Sequence, residues 1–245
     1  MFPMLHTPPA KTANGSCWWL DLGRMDYERA RRLQRRFVDY KARRAMDRDL
    51  LLFVEHPPVY TLGNRGSRCR SPAEDASGSL HGIPLVPTER GGDITYHGPG
   101  QLVAYPIFDL KSLGLGVKSF VYRLEQTMID TAASFGIPAD RSERNPGAWV
   151  DGSKLGSIGI AVRRSISFHG IALNVDNDLA PFSWIDPCGL EGVSMTSIKQ
   201  AGAEAADLAQ ARPAMLEAFE RVFACGFAPV KLNHLLPTFE AEHEP

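Results

Sequence analysis

The chain has 245 residues, with 27 Lys and Arg against 28 Asp and Glu and a formal net charge of −1. That length suits one large domain, or two small ones sharing a core. A hydrophobic content of 44% is ordinary for a water-soluble protein, and no apolar run approaches the about 20 residues of a membrane span.

The opening stretch, MFPMLHTPPAKTANGS, has no continuous apolar segment of the kind a signal peptide carries. Its Pro, Thr, Asn and Gly predict a flexible extension over residues 1–16. A helix is expected over 26–46, capped by Asp26, with Ala30, Leu33, Phe37 and Tyr40 at helical spacing. Residues 24–48 are dense in arginine, which fits either a solvated helix face or a docking surface for an acidic partner. DLLLFV, residues 49–54, predicts a buried strand closed by Pro57-Pro58, and a polar loop is expected from 63 to 82. Strands follow near 84–87, 93–96 and 101–108. Residues 117–135 predict an amphipathic helix ended by Gly136. A strand at 148–150, the Asp151-Gly152 hairpin turn, and return strands at 154–162 and 166–175 come next. The stretch 176–189 is expected as a loop, 193–198 as a short strand, and 203–224 as a helix. The order predicts an α+β (mixed α/β) fold, a single domain whose mainly antiparallel sheet is flanked by helices. The expected catalytic domain covers 17–228, with a tail from 229 to 245.

Four cysteines are scattered as Cys17, Cys69, Cys188 and Cys225, with no CxxC pair. No metal site or redox motif is therefore expected, and a reduced, cytoplasmic protein is the simplest reading. Cys188 stands in Asp186-Pro187-Cys188-Gly189. A thiol on a tight turn, with free backbone N–H groups beside it, is the arrangement acyl transfer requires. A buried structural cysteine is the competing reading. Lys154 opens a strand rich in small residues, where partial desolvation would let it exchange its proton near neutrality. His97 and His169 fall within sheet segments, and each suits either a base paired with Cys188 or a nitrogen that holds the pocket backbone in shape.

RGGDITYHGPGQLVAYP, residues 90–106, resembles the signature of the lipoyl(octanoyl) transferases. The resemblance continues through Lys154-Leu155-Gly156-Ser157-Ile158-Gly159, His169-Gly170-Ile171-Ala172-Leu173-Asn174-Val175 and Pro187-Cys188-Gly189, and covers about residues 20–225. It implies the fold of the biotin and lipoate protein ligases. It also implies a cysteine acyl-enzyme at Cys188, a lysine that activates it at Lys154, and an octanoyl pocket. The lining carried over is Arg90, Gly91, Gly92, Asp93, Ile94, Thr95, Tyr96 and His97, then Ser157, Ile158 and Gly159, then Gly170, Ile171 and Ala172. In these terms the glycines make room for a narrow acyl chain, and His97 is pocket wall rather than base.

The implied donor is octanoyl-acyl carrier protein. The implied acceptors are lipoyl domains of 2-oxoacid dehydrogenase complexes and the glycine cleavage H protein. No cofactor, metal, nucleic acid or membrane is implied, because a thioester already carries the activation. Rival readings are an ATP-dependent lipoate or biotin ligase on the same fold, an amidotransferase moving octanoyl between lipoyl domains, and a nucleic-acid-binding module built on the arginine-rich helix.

Overall fold

The computed structural model describes residues 17–65, 78–185 and 193–236. Its centre is a sheet of seven strands in the order β11-β1-β2-β7-β10-β9-β8. These are β1 (Cys17–Arg24), β2 (Leu50–Glu55), β7 (Gln101–Ile107), β8 (Gly147–Val150), β9 (Ser153–Arg163), β10 (Ile166–Asn174) and β11 (Phe227–Pro229). β1 runs parallel to both of its neighbours, and every other pair is antiparallel. β2, β7 and β10 are buried almost without a break because both faces of the sheet are covered.

On one face lies α1 (Tyr27–Ala42), which buries Ala30, Leu33, Phe37 and Val38 against Leu52, Val103 and Tyr105. On the other face α2 (Val117–Ser134) and α3 (Leu208–Phe223) bury Phe120, Leu124, Met128, Met215 and Phe219 against Phe53, Leu102 and Leu173. A smaller sheet, ordered β4-β5-β3-β6, is built from β3 (Val59–Leu62), β4 (Ser79–Leu80), β5 (Ile83–Pro87) and β6 (Ile94–His97).

The expected α+β architecture stands, with several local corrections. Two sheets are present rather than one, and β3 replaces the expected end of structure after Pro57-Pro58. α1 stops at Ala42, since Arg44 turns to a φ of 58°. α3 starts at Leu208 rather than 203, where the Asp207 carboxylate accepts from Gln210 N at 2.8 Å. Residues 193–198 form no strand. Met195 bridges Lys154 alone, and the chain then turns so that Ile198 N donates to Asn174 O at 2.9 Å. The folded body also runs past 228, because β11 pairs with β1 and Leu236 is buried beside α1. The expected flexible residues 1–16 lie outside the described residues, as does most of the loop expected at 63–82.

Two expectations about side chains change. Cys17 and Cys225 are joined in a disulfide that ties the start of β1 to the end of α3, so these two thiols are not reduced here. A crosslink closing so long a loop removes up to about 5 kcal/mol of unfolded-chain entropy. The arginine-rich helix is also partly internal. Arg31 donates to Pro87 O at 2.7 Å and pairs with Glu28 at 2.9 Å, and Arg35 holds Glu89 at 2.7 Å. These arginines tie α1 to the end of β5 and the residues that follow it. Among the described residues, no helix is long and apolar enough to cross a membrane.

Candidate active site

A narrow pocket lies where the chain after β5 crosses β9 and β10. The two strands pair residue by residue, with Ser157 opposite Ala172 and Gly159 opposite Gly170. Over them passes the segment from Arg90, and Gly91 N donates to Ile160 O at 2.9 Å. The pocket is partly open to solvent and tight, the space open to the centre of a water-sized sphere being about 40 Å³. All the residues predicted to line it do so except Gly91 and Tyr96. Tyr96 packs instead with Tyr60 and Phe182, at ring distances of 5.5 and 5.4 Å. Four further wall residues, Tyr27, Val103, Tyr105 and His169, carried no expectation as pocket lining.

Two of the glycines serve the protein rather than an open slot. A Cβ on Gly170 would lie 2.1 Å from Ala104 O of the neighbouring strand. One on Gly159 would lie 2.9 Å from Arg90 Cδ and 3.0 Å from Gly91 O. The missing side chains allow strands and crossing segment to approach closely.

The pocket floor is a closed hydrogen-bond network. Gln101 Nε2 donates to Asn174 Oδ1 at 2.9 Å and to Tyr96 O at 3.2 Å, which leaves Oε1 to accept from His97 Nδ1 at 2.7 Å. His97 Nε2 therefore carries no proton and accepts from the Thr61 hydroxyl at 3.5 Å. Thr61 Oγ1 in turn accepts from Arg90 Nη2 at 2.8 Å and Nε at 3.1 Å. Full burial pushes the His97 imidazole down to about 3, with the neighbouring His56 adding to the effect. His56 donates from Nδ1 to Met25 O at 2.7 Å and accepts the Tyr105 hydroxyl at 2.8 Å, and burial lowers it to about 4. Both rings are neutral at neutral pH, His97 in the wall and His56 packed against His97 with ring centres 5.9 Å apart.

This sets an acid limit on stability. Below the unfolded histidine pKa of about 6.5, the unfolded chain takes up protons that the folded one refuses. The stabilisation is full above pH 6.5 and is lost as pH falls towards the folded values. The two rings together are expected to cost roughly 4 kcal/mol by pH 5. Urea unfolding midpoints between pH 7 and pH 5 check this, and a flat profile would contradict it. His56→Gln should make the decline shallower.

Lys154 does not line the pocket. It stands three residues before Ser157 on β9, only 1% exposed. Its Nζ donates to Asn145 Oδ1 and sits 5.4 Å from the centre of the Trp149 ring. Asn145 was not anticipated, and no pattern in the sequence marks it. It is held in place from two sides. Trp149 Nε1 donates to Asn145 O at 3.1 Å. Glu125 on α2 accepts from Gly147 N at 3.1 Å and from Arg141 Nε at 3.2 Å, which clamps the stretch carrying Asn145. Gly147 has a φ of 149°, and a Cβ there would lie 2.9 Å from Lys154 Cε.

Cys188 falls among residues 186–192, outside the described residues. Its described flanks converge on the site. Ile185 and Met195 join one apolar cluster with Tyr60 and Tyr96. Lys154 N donates to Ser194 O at 2.8 Å, and Thr196 N donates to Lys154 O at 3.0 Å. Tyr60 donates to Pro181 O at 2.8 Å in the 3₁₀ turn Ala180–Trp184.

The model of the lipoyl protein ligase A/B catalytic domain matches residues 26–220. An octanoyltransferase of Desulfotalea psychrophila is 46% identical over 206 residues, covering 83% of this chain and 92% of that protein. One from Azoarcus is 42% identical over 224 residues, covering 91% and 95%. The chain belongs to the octanoyltransferase family. It is an acyltransferase, and its activity is octanoyl transfer. The octanoyltransferase shares its fold with a bi-partite lipoate protein ligase of Thermoplasma acidophilum, at 16% identity and a TM-score of 0.66, covering 93% of this chain and 92% of that one.

Proposed function

We propose that this octanoyltransferase works through a thioester on Cys188, taking octanoyl from octanoyl-acyl carrier protein and passing it to a lysine of a lipoyl domain. The observation that carries the reading is Lys154. A lysine shielded from solvent, held by a neutral amide, stands between the pocket and the segment that follows Cys188. A free thiol has a pKa of about 8.5, so only a few per cent is thiolate at neutral pH. A lysine ammonium beside it favours the thiolate. The thiolate attacks the donor carbonyl, the C–S bond to the carrier breaks, and the Lys154 ammonium protonates the departing thiolate. The neutral amine then takes a proton from the incoming lysine, whose nitrogen attacks the acyl-enzyme. An amide forms and the Cys188 thiolate is released.

The pocket lies beyond Lys154 along the same strand, between β9 and β10, with Ile158, Ile171 and Ala172 in its walls, and so offers an apolar seat to the acyl chain. The donor already carries an activated acyl group, so this sequence of steps uses no nucleotide. The test is intact-mass measurement after mixing with octanoyl-acyl carrier protein, with and without ATP. A single octanoyl adduct is expected in both, followed by its loss when a lipoyl domain is added. A requirement for ATP would favour the ligase reaction instead.

A further inference from the structure

The strand register provides a ruler for the acyl slot. Lys154 marks the end where the carbonyl reacts in the proposed mechanism. Further along β9, Ser157 lies opposite Ala172, Gly159 opposite Gly170, and Ile160 opposite His169. At about 3.3 Å per residue, the distance from Ser157 to the His169 level is roughly 10 Å. An extended eight-carbon chain, whose zigzag of about 1.5 Å bonds advances about 1.25 Å per bond, spans roughly 9 Å. A chain starting beside Ser157 therefore ends at His169.

His169 is an unusual residue for the middle of a strand. Its φ is 54°, a left-handed conformation that a side chain rarely adopts. The ring is 1% exposed and forms part of the pocket wall. Neither ring nitrogen has a hydrogen bond, and Nε2 is 3.7 Å from Glu89 Oε2, too far for one. The Glu89 carboxylate that the ring faces is not part of the slot lining, so towards the slot the ring acts by filling space. Its backbone, by contrast, is pinned, since His169 N donates to the Gln34 amide of α1 at 2.7 Å.

Next to the ring lies a second cavity of about 370 Å³, open to solvent and lined by Arg35, Val38, Glu89, Arg163 and Phe168. Two of these residues lie beside the imidazole. Phe168 lies with its ring centre 5.0 Å away, and Glu89 is the carboxylate already described. The imidazole thus lines the slot and lies against two residues that line the outer cavity.

We propose that His169 is the end wall of the acyl slot and sets the longest acyl chain the protein accepts, the outer cavity being space that a longer chain would reach if the ring were removed. The inference rests on the acyl-enzyme reading. It assigns His169 a role in specificity rather than in proton transfer.

The test compares acylation by acyl-coenzyme A thioesters of 8, 10, 12 and 14 carbons in the unmodified protein, His169→Gly and His169→Asn. Both replacements tolerate a positive φ, and they remove most or all of the ring. The readout is the ratio of kcat/KM for the 12-carbon donor to that for the 8-carbon donor. This ratio does not depend on how much of a preparation is folded. Each methylene that gains a buried seat contributes roughly fourfold, so the ratio should rise at least tenfold in His169→Gly and by less in His169→Asn. An unchanged ratio in both variants, with octanoyl still accepted by the unmodified protein, overturns the end wall alone. Failure of the unmodified protein to accept octanoyl at all overturns the acyl-enzyme reading beneath it.

Discussion

Cys188→Ala is expected to abolish the octanoyl adduct and to reduce transfer by at least about 10⁴-fold, the scale on which removal of a covalent nucleophile acts. The residual reaction would be direct attack of a lysine amine on the bound thioester. Cys69→Ala should keep both adduct and rate. Cys17→Ala and Cys225→Ala should also keep the adduct, but they break the disulfide and are expected to melt at a lower temperature. The four variants therefore separate loss of chemistry from loss of fold. Intact mass after exposure to octanoyl-acyl carrier protein reads the first, and a thermal melt reads the second. An octanoyl adduct that persists in Cys188→Ala would sink the mechanism.

The elements legible in the sequence are those whose pattern is local. Residues 117–134 carry a continuous apolar stripe, and the Asp151-Gly152 turn with its flanking strands is a short-range signal; both stand within a residue or two of expectation. β3 was missed because Pro57-Pro58 reads as an ending, although the chain resumes pairing at Val59, antiparallel to β6. The expected strand at 193–198 has a suitable composition, but its backbone partners are Lys154 and the end of β10, so it crosses strand ends instead of extending the sheet.

The site divides in the same way. The dense glycines pointed to the pocket, yet Gly159 and Gly170 turn out to accommodate backbone and Arg90. That distinction depends on which atoms come within 3 Å, which no spacing encodes. Tyr27 and Tyr105 come to the pocket from α1 and β7, where they read as ordinary core positions. The Cys17–Cys225 pairing joins residues 208 positions apart and leaves no trace in the local pattern.

Lys154→Met should reduce transfer by roughly 10³-fold, the usual weight of a positioned acid–base group. Methionine keeps the apolar stem under Trp149 and removes only the amine, so the fold should survive. The diagnostic measurement is the pH dependence of Cys188 alkylation, made in Cys69→Ala so that no other thiol outside the disulfide reacts. On the proposed mechanism the Lys154 cation supports the thiolate. In Lys154→Met the alkylation midpoint should move up towards the unperturbed value of about 8.5. Asn145 permits a second, independent test of the same pair. Its Oδ1 is a neutral acceptor, so it orients Nζ without opposing its charge. Asn145→Asp would put a carboxylate against that nitrogen, retain the proton on lysine and cancel part of the field at the thiol. Transfer should therefore fall, the alkylation midpoint should rise as in Lys154→Met, and the pH optimum for attack by the acceptor lysine should move upwards. A residue with a merely structural role would change the melt and leave those pH midpoints in place. If both variants lose rate with unmoved midpoints, Lys154 does not act on the thiol, and the proton transfers must be assigned elsewhere.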